Sequence, residues 1–284
     1  MIDRRGFLAA VPATAYASKR ALSQGGASFS RDVTLPIDRI GVQLYTVRNE
    51  MAANADATLA TIAEIGYAEV ELAGLYGMTA REMRAKLDAV GLRAASSHHG
   101  IDEVRSGWER TLAAAQELGQ SQVVVPGLPG NERSAEGLRR IAEDFNRAAE
   151  AARAAGLRFG YHNHEWEFRP LEDGSVPMEL LLDGTEAELV DWQMDIFWTV
   201  HGGGDPARAI RARSGRVTSV HVKDRTAAGD MVDVGDGIID FSRLIPLAEG
   251  LGLRHAFVEH DQPQDALASV RRSFRHMMLN PGRP

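Results

Sequence analysis

Arg158-Phe-Gly-Tyr-His-Asn-His-Glu-Trp-Glu-Phe168 is the stretch that decides how the chain folds. It follows a long helical pattern, begins as a short apolar run and ends in polar residues, which is typical of a strand in an alternating α/β chain. Side chains at positions i and i+2 of a strand share a face, so we expect His162 and His164 to point together and Asn163 to point away. Two imidazoles at a strand end, with the carboxylate of Glu167 close behind, indicate a metal or acid–base site. Two surface histidines at a loop entrance are the alternative.

The sequence on both sides of this stretch alternates strand and helix patterns, which predicts a parallel β/α architecture. Eight predicted strands cover residues 40–46, 68–72, 93–98, 122–126, the segment that begins at residue 158, and residues 189–196, 217–223 and 256–259. The predicted helices after them cover residues 56–65, 79–90, 104–118, 135–155, 178–182, 206–212, 241–251 and 265–279. Eight such units over about 250 residues match the usual size of a (β/α)8 barrel, a TIM barrel. Residues 37–280 are therefore predicted to form a single barrel domain of the α/β class.

Polar side chains gather where these predicted strands end and not where they begin. Catalytic residues of a closed (β/α)8 barrel lie at the carboxyl ends of its strands, so the prediction implies that these side chains meet at one face. They are Gln43, Tyr45, Glu71, His98, His99, His162, His164, Glu167, Asp195, Trp198, His221, Lys223, Asp224, Glu259 and Asp261.

Three residues of this face come from three successive predicted strands: Asp195, His221 and Glu259. Two carboxylates and an imidazole suit a divalent ion such as Mn²⁺, Co²⁺, Mg²⁺ or Zn²⁺, and the chain has no cysteine that could supply a thiolate. The pattern therefore predicts one divalent metal ion at this face. The structural alternatives are a buried ion pair for Asp195, a hydrogen-bonded core histidine for His221 and a salt-bridged rim residue for Glu259.

The N-terminal sequence is typical of an export signal. Arg4 and Arg5 precede an apolar run, residues 7–17, that is shorter than the roughly 20 residues needed to span a bilayer. Residues 1–17 are predicted to be a twin-arginine signal peptide that directs the protein to the periplasm. Residues 18–36, rich in Ser, Gly and Ala, are predicted to be a linker.

The composition limits the partners of the mature protein. The net charge is −7 for the full sequence and −8 once Asp3, Arg4 and Arg5 are removed with the signal peptide, and this charge together with the absence of a basic stripe excludes a nucleic-acid partner. No segment is long and apolar enough for stable membrane insertion. The expected partner is a small carbohydrate, and the sequence leaves open whether copies of the chain form a homo-oligomer.

From about residue 38 to residue 276 the chain resembles the xylose isomerase-like TIM-barrel superfamily of sugar isomerases and epimerases. Its Tyr-His-Asn-His-x-x-Glu-Phe segment is similar to an exported group commonly labelled sugar phosphate isomerase/epimerase. The resemblance implies that a divalent ion is held by Glu, Asp, His and Glu on strands five to eight. The last three correspond to Asp195, His221 and Glu259, whereas strand five has His162 in place of Glu, so the fourth ligand lies among His162, His164 and Glu167.

The chemistry that the resemblance implies begins with a metal ion that binds the carbonyl and an adjacent hydroxyl of a keto-sugar. A base then removes the proton on the neighbouring carbon to give an enediolate. His164 is the leading base, Lys223 is an oxyanion stabiliser or alternatively a rim lysine, and Glu167 is a second proton carrier. Trp166 is expected to supply an apolar wall. The residues expected to bind the substrate are Gln43, Tyr45, Glu71, His98, His99, Trp198 and Asp261.

The leading functional hypothesis is a metal-dependent isomerase or epimerase that acts on a keto-sugar. A phosphate ester is disfavoured as substrate, because Asp233, Asp236 and Asp240 surround the Gly235–Gly237 loop after strand seven. The first alternative is a lyase that eliminates the aglycone from a 3-keto-glycoside through the same enediolate. The second alternative is a non-catalytic periplasmic carbohydrate-binding barrel, whereas the endonuclease branch of the superfamily is excluded by charge.

Overall fold

The computed structural model describes residues 40–279, which form a ring of eight parallel strands surrounded by helices. The predicted signal peptide, residues 1–17, and the predicted linker, residues 18–36, lie outside the described residues. Among the described residues, no helix combines the length and the apolar character that crossing a bilayer requires.

The barrel strands are short, between three and six residues each. In chain order they are β1 (Gly41–Gln43), β2 (Glu69–Leu72), β3 (Arg93–Ser97), β4 (Gln122–Val125), β5 (Arg158–His162), β6 (Val190–Asp195), β7 (Val217–Val222) and β10 (His255–Val258). Between the last two lies a small antiparallel hairpin of β8 (Asp224–Arg225) and β9 (Met231–Val232). The hydrogen-bonded order is β3-β2-β1-β10-β7-β6-β5-β4, and a parallel bridge between His98 and Val124 joins β3 to β4. The predicted (β/α)8 barrel is confirmed.

Helices connect the strands and cover the outside of the barrel. They are α1 (Arg48–Ile65), α2 (Ala80–Ala89), α3 (Ile101–Arg105), α4 (Trp108–Leu118), α5 (Ala135–Ala154), α6 (Pro177–Gly184), α7 (Ile196–His201), α8 (Pro206–Ala212), α9 (Phe241–Glu249) and α10 (Ala266–Leu279). Their buried faces are apolar, as in α5, where Leu138, Ile141 and Phe145 are completely buried against the barrel.

Two departures from the sequence prediction have local reasons, and α1 also begins at Arg48, eight residues before the predicted start at residue 56. The helix predicted over residues 104–118 is divided into α3 and α4, because Gly107 adopts a left-handed conformation with φ of +103°. The strand predicted over residues 189–196 ends one residue early, since Asp195 starts α7 by accepting a hydrogen bond from the backbone N–H of Trp198 at 2.9 Å.

The aromatic ring of Phe257 forms the floor of the barrel interior, and there is room for it only because the neighbouring residue on β1, Gly41, has no side chain. A Cβ atom on Gly41 would lie 2.5 Å from the ring of Phe257, so only glycine fits at that position of β1. The Phe257 ring centroid lies 5.8 Å from that of His255 and 6.1 Å from that of His221. Phe257 thus separates the polar residues near the amino ends of the strands from those at the carboxyl ends.

Candidate active site

A cavity of about 540 Å³ opens at the carboxyl ends of the barrel strands and is called the central cavity below. It is lined by eight of the side chains expected from the sequence: Tyr45, His98, His99, His162, His164, Lys223, Glu259 and Asp261. Asp195 and His221 are fully buried and lie against this lining, because Asp195 pairs with Lys223 and His221 pairs with Glu259. The structure therefore brings the predicted metal ligands and most of the predicted substrate-binding residues to one place.

Glu71, on β2, is the carboxylate on which the buried hydrogen bonds converge. It accepts hydrogen bonds from Gln43 Nε2 at 2.8 Å, Gln193 Nε2 at 2.7 Å and His221 Nε2 at 2.6 Å. Burial opposes ionisation, but His98 and His221 hold the pKa of Glu71 well below its usual range. Protein donors engage both of its oxygens, so Glu71 organises the site from beneath the cavity.

Gln193, on β6, determines which nitrogens of two histidines carry hydrogen. Because its Nε2 donates to Glu71, its Oε1 must face the histidines, 2.8 Å from His98 Nε2 and 3.1 Å from His162 Nδ1. A carbonyl oxygen only accepts, so both of these ring nitrogens donate. Burial lowers the pKa of His162 well below its usual value, which keeps it neutral. The lone pair of His162 is therefore on Nε2, which lies 3.7 Å from Asp195 Oδ2.

His221, on β7, bridges two carboxylates with its two ring nitrogens. Nδ1 lies 2.6 Å from Glu259 Oε2, and Nε2 lies 2.6 Å from Glu71 Oε2. Burial alone would lower the pKa of His221, but the two carboxylates raise it to about 10. With these contacts His221 is an imidazolium that donates hydrogen bonds in both directions.

Lys223 places a buried ammonium among three carboxylates. Its Nζ lies 3.0 Å from Asp195 Oδ2, 2.8 Å from Glu259 Oε2 and 2.7 Å from Asp261 Oδ1. Burial opposes the charge, but Asp195 and the other two carboxylates raise the pKa of Lys223 well above its usual value. The side chain is only 2% exposed, so it is a permanent buried cation and not a rim lysine.

The arrangement of Asp195, His221 and Glu259 fits a metal ion. Each presents a ligand atom, and these atoms all lie within 4.8 Å of one another. His98, His162 and His221 form a second group that meets the same distance and shares His221. Asp195 Oδ2 has no hydrogen-bond partner among residues 40–279, although the ammonium of the neighbouring lysine lies within ion-pair distance. A buried carboxylate oxygen without a donor is an expected place for a cation.

The charge of the cluster also fits a divalent cation. Its carboxylates, Glu71, Asp195, Glu259 and Asp261, face the cations Lys223 and His221. With His221 protonated, four negative charges face two positive charges, so the cluster without a metal ion has an excess of negative charge. Burial raises the pKa of Asp195 to about 6, so its ionised form lacks stabilisation from its surroundings. Asp195, Glu259 and His221, together with the free Nε2 of His162, form the donor set that would hold such an ion.

His164 lies beyond the end of β5, at the wall of the central cavity. Its ring centroid is 5.1 Å from that of His162 and 5.9 Å from that of Trp198. Burial and the charge of Lys223 lower the pKa of His164 to about 4, so it is a neutral imidazole at pH 7. The indole Nε1 of Trp198 is buried and has no hydrogen-bond partner within the described residues.

Asn163 fixes the two strand ends that carry the site. Its Oδ1 accepts hydrogen bonds from Trp192 Nε1 at 2.8 Å and from the backbone N–H of Asp195 at 3.1 Å. Its Nδ2 donates to Thr199 Oγ1 at 3.3 Å. The side chain therefore ties the end of β5 to the end of β6 and to α7.

Glu167, like Trp198, is a predicted site residue that does not line the central cavity. Its carboxylate accepts hydrogen bonds from the Tyr161 hydroxyl at 2.5 Å and from the backbone N–H of His164 at 2.9 Å. Burial raises its pKa to about 7 in spite of these two donors. These contacts stabilise the turn that positions His164.

A second cavity, of about 420 Å³, adjoins the first and is called the side cavity below. Both cavities are lined by Pro126 and His164. The remaining wall of the side cavity includes Leu128, Arg133 and Trp166. Trp166, expected in the sequence as an apolar wall, therefore lies beside the central cavity and not within it.

Gln193 and the buried role of Glu71 were not apparent from the sequence. Gln193 lies two residues before Asp195, so strand alternation does place both on the inward face. The register of β6 on β7 shifts between Trp192 and Gln193, however, and this irregularity decides which partners Gln193 meets. The side-chain pattern alone could have indicated its direction but not its contacts.

Comparisons with known proteins agree with this architecture. A family model described as “Xylose isomerase-like TIM barrel” matches residues 59–278. Among curated proteins, an inosose dehydratase from Geobacillus kaustophilus (strain HTA426) is 25% identical over 227 residues, which cover 66% of this chain and 73% of that protein.

Solved structures show the same likeness. The match to a sugar phosphate isomerase/epimerase from Parabacteroides distasonis ATCC 8503 has a TM-score of 0.78 at 25% identity and covers 87% of this chain and 96% of that one. The match to the IOLI protein with a bound zinc atom has a TM-score of 0.68 and covers 86% of this chain and 98% of that one. At 13% identity, the second likeness shows the fold alone.

Proposed function

Because the chain belongs to the xylose isomerase-like TIM barrel family, we propose that it is a divalent-metal-dependent isomerase or epimerase that enolises a keto-sugar. The observation that carries the proposal is the convergence of Asp195, His221 and Glu259 from the adjacent strands β6, β7 and β10. The isomerase/epimerase among the similar structures and the zinc bound by a protein of the same fold support it. The metal is Mn²⁺, Co²⁺, Mg²⁺ or Zn²⁺.

The site assigns separate tasks to its residues. Asp195, His221, Glu259 and His162 would hold the ion, which when bound supplies Lewis-acid polarisation of the substrate carbonyl. His164, neutral at pH 7 and exposed to the central cavity, accepts the proton from the carbon next to that carbonyl. Protonation of the resulting enediolate on the other face of the same carbon gives an epimer, and protonation of the neighbouring carbon gives an aldose–ketose isomer.

Lys223 is proposed to stabilise the negative charge that develops on the substrate oxygen. Its raised pKa keeps it cationic, and it lines the central cavity next to Glu259 and Asp261. Since it is held by these carboxylates, it is oriented before the substrate arrives, which is the condition for effective electrostatic stabilisation.

The substrate is proposed to be an uncharged keto-sugar. Barrels that bind phosphate use backbone N–H groups of the loops after strands seven and eight. In this chain the N–H groups of Gly235, Gly237 and Ile239, after β7, already donate to the buried carboxylate of Asp224. That loop therefore offers a phosphate few free donors.

A lyase that expels the aglycone of a 3-keto-glycoside is the second candidate, and the state of Glu259 favours it. Although burial opposes ionisation, Lys223 and His221 hold the pKa of Glu259 far below its usual value. Glu259 is thus a poor proton donor for the second face of the substrate. A single proton carrier, His164, suffices for elimination on one side, and the curated relative is named a dehydratase.

Export to the periplasm is retained as a proposal that rests on Arg4 and Arg5 and the apolar run after them. We expect the mature protein, isolated from a periplasmic fraction, to begin near residue 18. Replacing both arginines by lysine should leave the precursor in the cytoplasm, as immunoblots of the two fractions would show.

Incubation of the metal-loaded enzyme with keto-sugars and 3-keto-glycosides in D₂O tests the proposal. NMR should show deuterium at the carbon next to the carbonyl. A labelled sugar of unchanged formula indicates an isomerase or epimerase, whereas a released aglycone indicates the lyase. Absence of both exchange and release across the panel would contradict both and leave a non-catalytic carbohydrate-binding barrel.

Two variants and one control assign the roles. His164→Gln should retain the metal, measured by elemental analysis, and lose the exchange. Asp195→Asn should lose the metal and the exchange but keep the fold, because asparagine can still accept the hydrogen bond that starts α7. His276→Gln, on α10 and away from the cavity, should resemble the wild type in both measurements. Full metal occupancy in Asp195→Asn would place the metal elsewhere.

A further inference from the structure

The side cavity lies directly next to the central cavity and therefore extends the proposed substrate site. It shares two wall residues, Pro126 and His164, with the central cavity. A molecule that occupies both cavities must therefore pass along His164, the residue assigned above to proton transfer. The volumes, about 540 and about 420 Å³, each lie in the range of small-molecule sites. The combined cleft is larger than a single sugar ring requires.

The wall of the side cavity includes two planar groups, the Arg133 guanidinium and the Trp166 indole, and the first is fixed in place. The Arg133 guanidinium lies over the Trp166 ring, 4.4 Å from its centroid. Arg133 is held there because its Nε and Nη2 both donate to the backbone carbonyl of Leu128, at 3.0 and 2.8 Å. The carbonyl anchor and the indole together keep the guanidinium plane from rotating.

The chemistry of this wall favours a flat apolar group over a second sugar ring. Pro126, Leu128 and Trp166 are apolar, and two donors of Arg133 are already committed. A second sugar would bring several hydroxyl groups that need partners on desolvation, whereas an aromatic ring needs only contact area. Arg133 and Glu165 carry opposite charges on this wall, so no net charge is required of the ligand.

We propose that the side cavity binds an uncharged aromatic aglycone of a glycoside whose sugar unit occupies the central cavity. This inference rests on the proposed function, since it takes the sugar to lie against His164 and Lys223. It narrows the substrate class from keto-sugars in general to aryl glycosides that carry a keto group. Trp166 then contributes to binding through the aglycone and not through the sugar.

The test measures binding of two unreactive probes, phenyl β-glucoside and methyl β-glucoside, which share the sugar and lack the carbonyl. By calorimetry we expect the wild type to bind the phenyl compound about tenfold more tightly, from the contact between its ring and Trp166. Trp166→Leu should remove this preference, and Trp166→Phe should retain most of it. Tyr45→Leu, at the wall of the central cavity, should weaken both probes by the same factor.

A second measurement does not depend on the folding of any Trp166 variant. In the wild type the indole N–H resonance of Trp166 should shift with the phenyl compound and stay in place with the methyl compound. Equal affinities for the two probes, a preference that survives in Trp166→Leu, or no detectable binding of either probe would each overturn the inference.

These experiments distinguish failure of the aglycone site from failure of the proposed enolising activity. Deuterium exchange into keto-sugars without any preference for the phenyl probe would leave the enolising activity standing and remove the aglycone site. A preference for the phenyl probe that depends on Trp166, without exchange or release on any keto compound, would leave the binding site standing and remove the enolising activity.

Discussion

At the residue scale, the protonation of the buried histidines decides how the site can bind a metal. His221 donates from both nitrogens, to Glu259 and to Glu71, and is held as an imidazolium. His162 is held neutral with its lone pair on Nε2. Only a deprotonated ring nitrogen can ligate a metal, so His162 is ready and His221 must first release a proton.

Metal affinity should consequently rise with pH. The pKa of His221 without metal is about 10, so this proton competes with the metal at every pH below that value. We expect the dissociation constant to fall about tenfold per pH unit between pH 7 and pH 9. Below pH 6 the dissociation constant should change more steeply with pH, because Asp195, with a pKa of about 6, also takes up a proton. Calorimetry in buffers of different ionisation enthalpy measures the released proton directly, and an affinity that is independent of pH would contradict this account.

Gln193 should control metal affinity through the tautomer of His162. Replacing Gln193 by leucine removes the oxygen that keeps hydrogen on His162 Nδ1, so the lone pair is no longer fixed on Nε2. We expect metal affinity to fall at least about tenfold, as is usual when a hydrogen bond behind a ligand is lost. Gln43→Leu is the matched control, because it removes an equivalent donor to Glu71 without touching His162. Equal losses in the two variants would assign the effect to Glu71, and nitrogen NMR of the histidines should show mixed tautomers only in Gln193→Leu.

The sequence predicted the residues of the site better than their contacts. The ligand candidates Asp195, His221 and Glu259 could be found because the carboxyl ends of barrel strands meet at one face. The bracing role of Glu167 could not be predicted, since the turn after β5 directs its carboxylate to Tyr161 and away from the cavity. Spacing along the chain gives the face of a strand, but the path of a loop depends on packing.

At the element scale, short strands deliver the site and buried polar side chains hold the loops in place. Asn163 ties the end of β5 to that of β6, and Asp224 performs the same task after β7. Asp224 accepts hydrogen bonds from the backbone N–H groups of Arg225, Gly235, Gly237 and Ile239. A Cβ on Gly237 would lie 2.2 Å from Asp224 Oδ1, so the loop requires glycine there.

Removing the Asp224 carboxylate should loosen this loop and destabilise the barrel. In Asp224→Ala four backbone N–H groups lose their acceptor, and we expect a loss of roughly 3 kcal/mol in the free energy of unfolding. Asp236→Ala, an exposed position in the same loop, should change it by less than about 0.5 kcal/mol. Urea denaturation gives both values, and hydrogen exchange should accelerate in residues 225–239 of the first variant only. Similar stabilities of the two variants would show that Asp224 does not anchor the loop.

The boundaries of helices and strands were predicted where a local sequence pattern marks them, and they were missed where a tertiary contact determines them. The eight strands were predicted because alternating patterns and short breaks mark them. Helix α7 was missed because its first turn depends on Asp195, a site residue that also accepts a backbone hydrogen bond. The division between α3 and α4 has a visible signal in Gly107, but a single glycine inside a helical pattern does not require a break.

At the scale of the whole molecule, we expect the carboxylate cluster to couple the proposed metal binding to stability. Three buried carboxylates, Glu71, Asp195 and Glu259, and the half-buried Asp261 face two protein cations, so part of their repulsion opposes folding without a metal ion. A ligand that binds only the folded protein stabilises it in proportion to the logarithm of its concentration. The barrel should therefore be measurably more stable with the metal than without it.

Thermal unfolding should show this coupling. At a free metal concentration about 100 times the dissociation constant, the gain is about 2.7 kcal/mol, and Tm should rise by roughly 5–10 °C. The rise should disappear with a chelator and in Asp195→Asn, whose ligand set is incomplete. Scanning calorimetry measures Tm in each case. An equal rise in the Tm of Asp195→Asn would show that the stabilising ion binds at another place.

The pairing of β3 with β4, called the β3–β4 joint below, is the place where we expect the barrel to deform most easily. Neighbouring strands elsewhere are paired over two to four residues, whereas this joint has one bridge, between His98 and Val124, and backbone hydrogen bonds from Ser121 to Ala95 and from His99 to Val124. A ring with one weak joint changes its diameter mainly there. The cavity wall next to this joint includes His98 and Pro126, so we expect ligands of different widths to be accommodated by expansion along this joint, while the proposed metal ligands on β6, β7 and β10 keep their spacing.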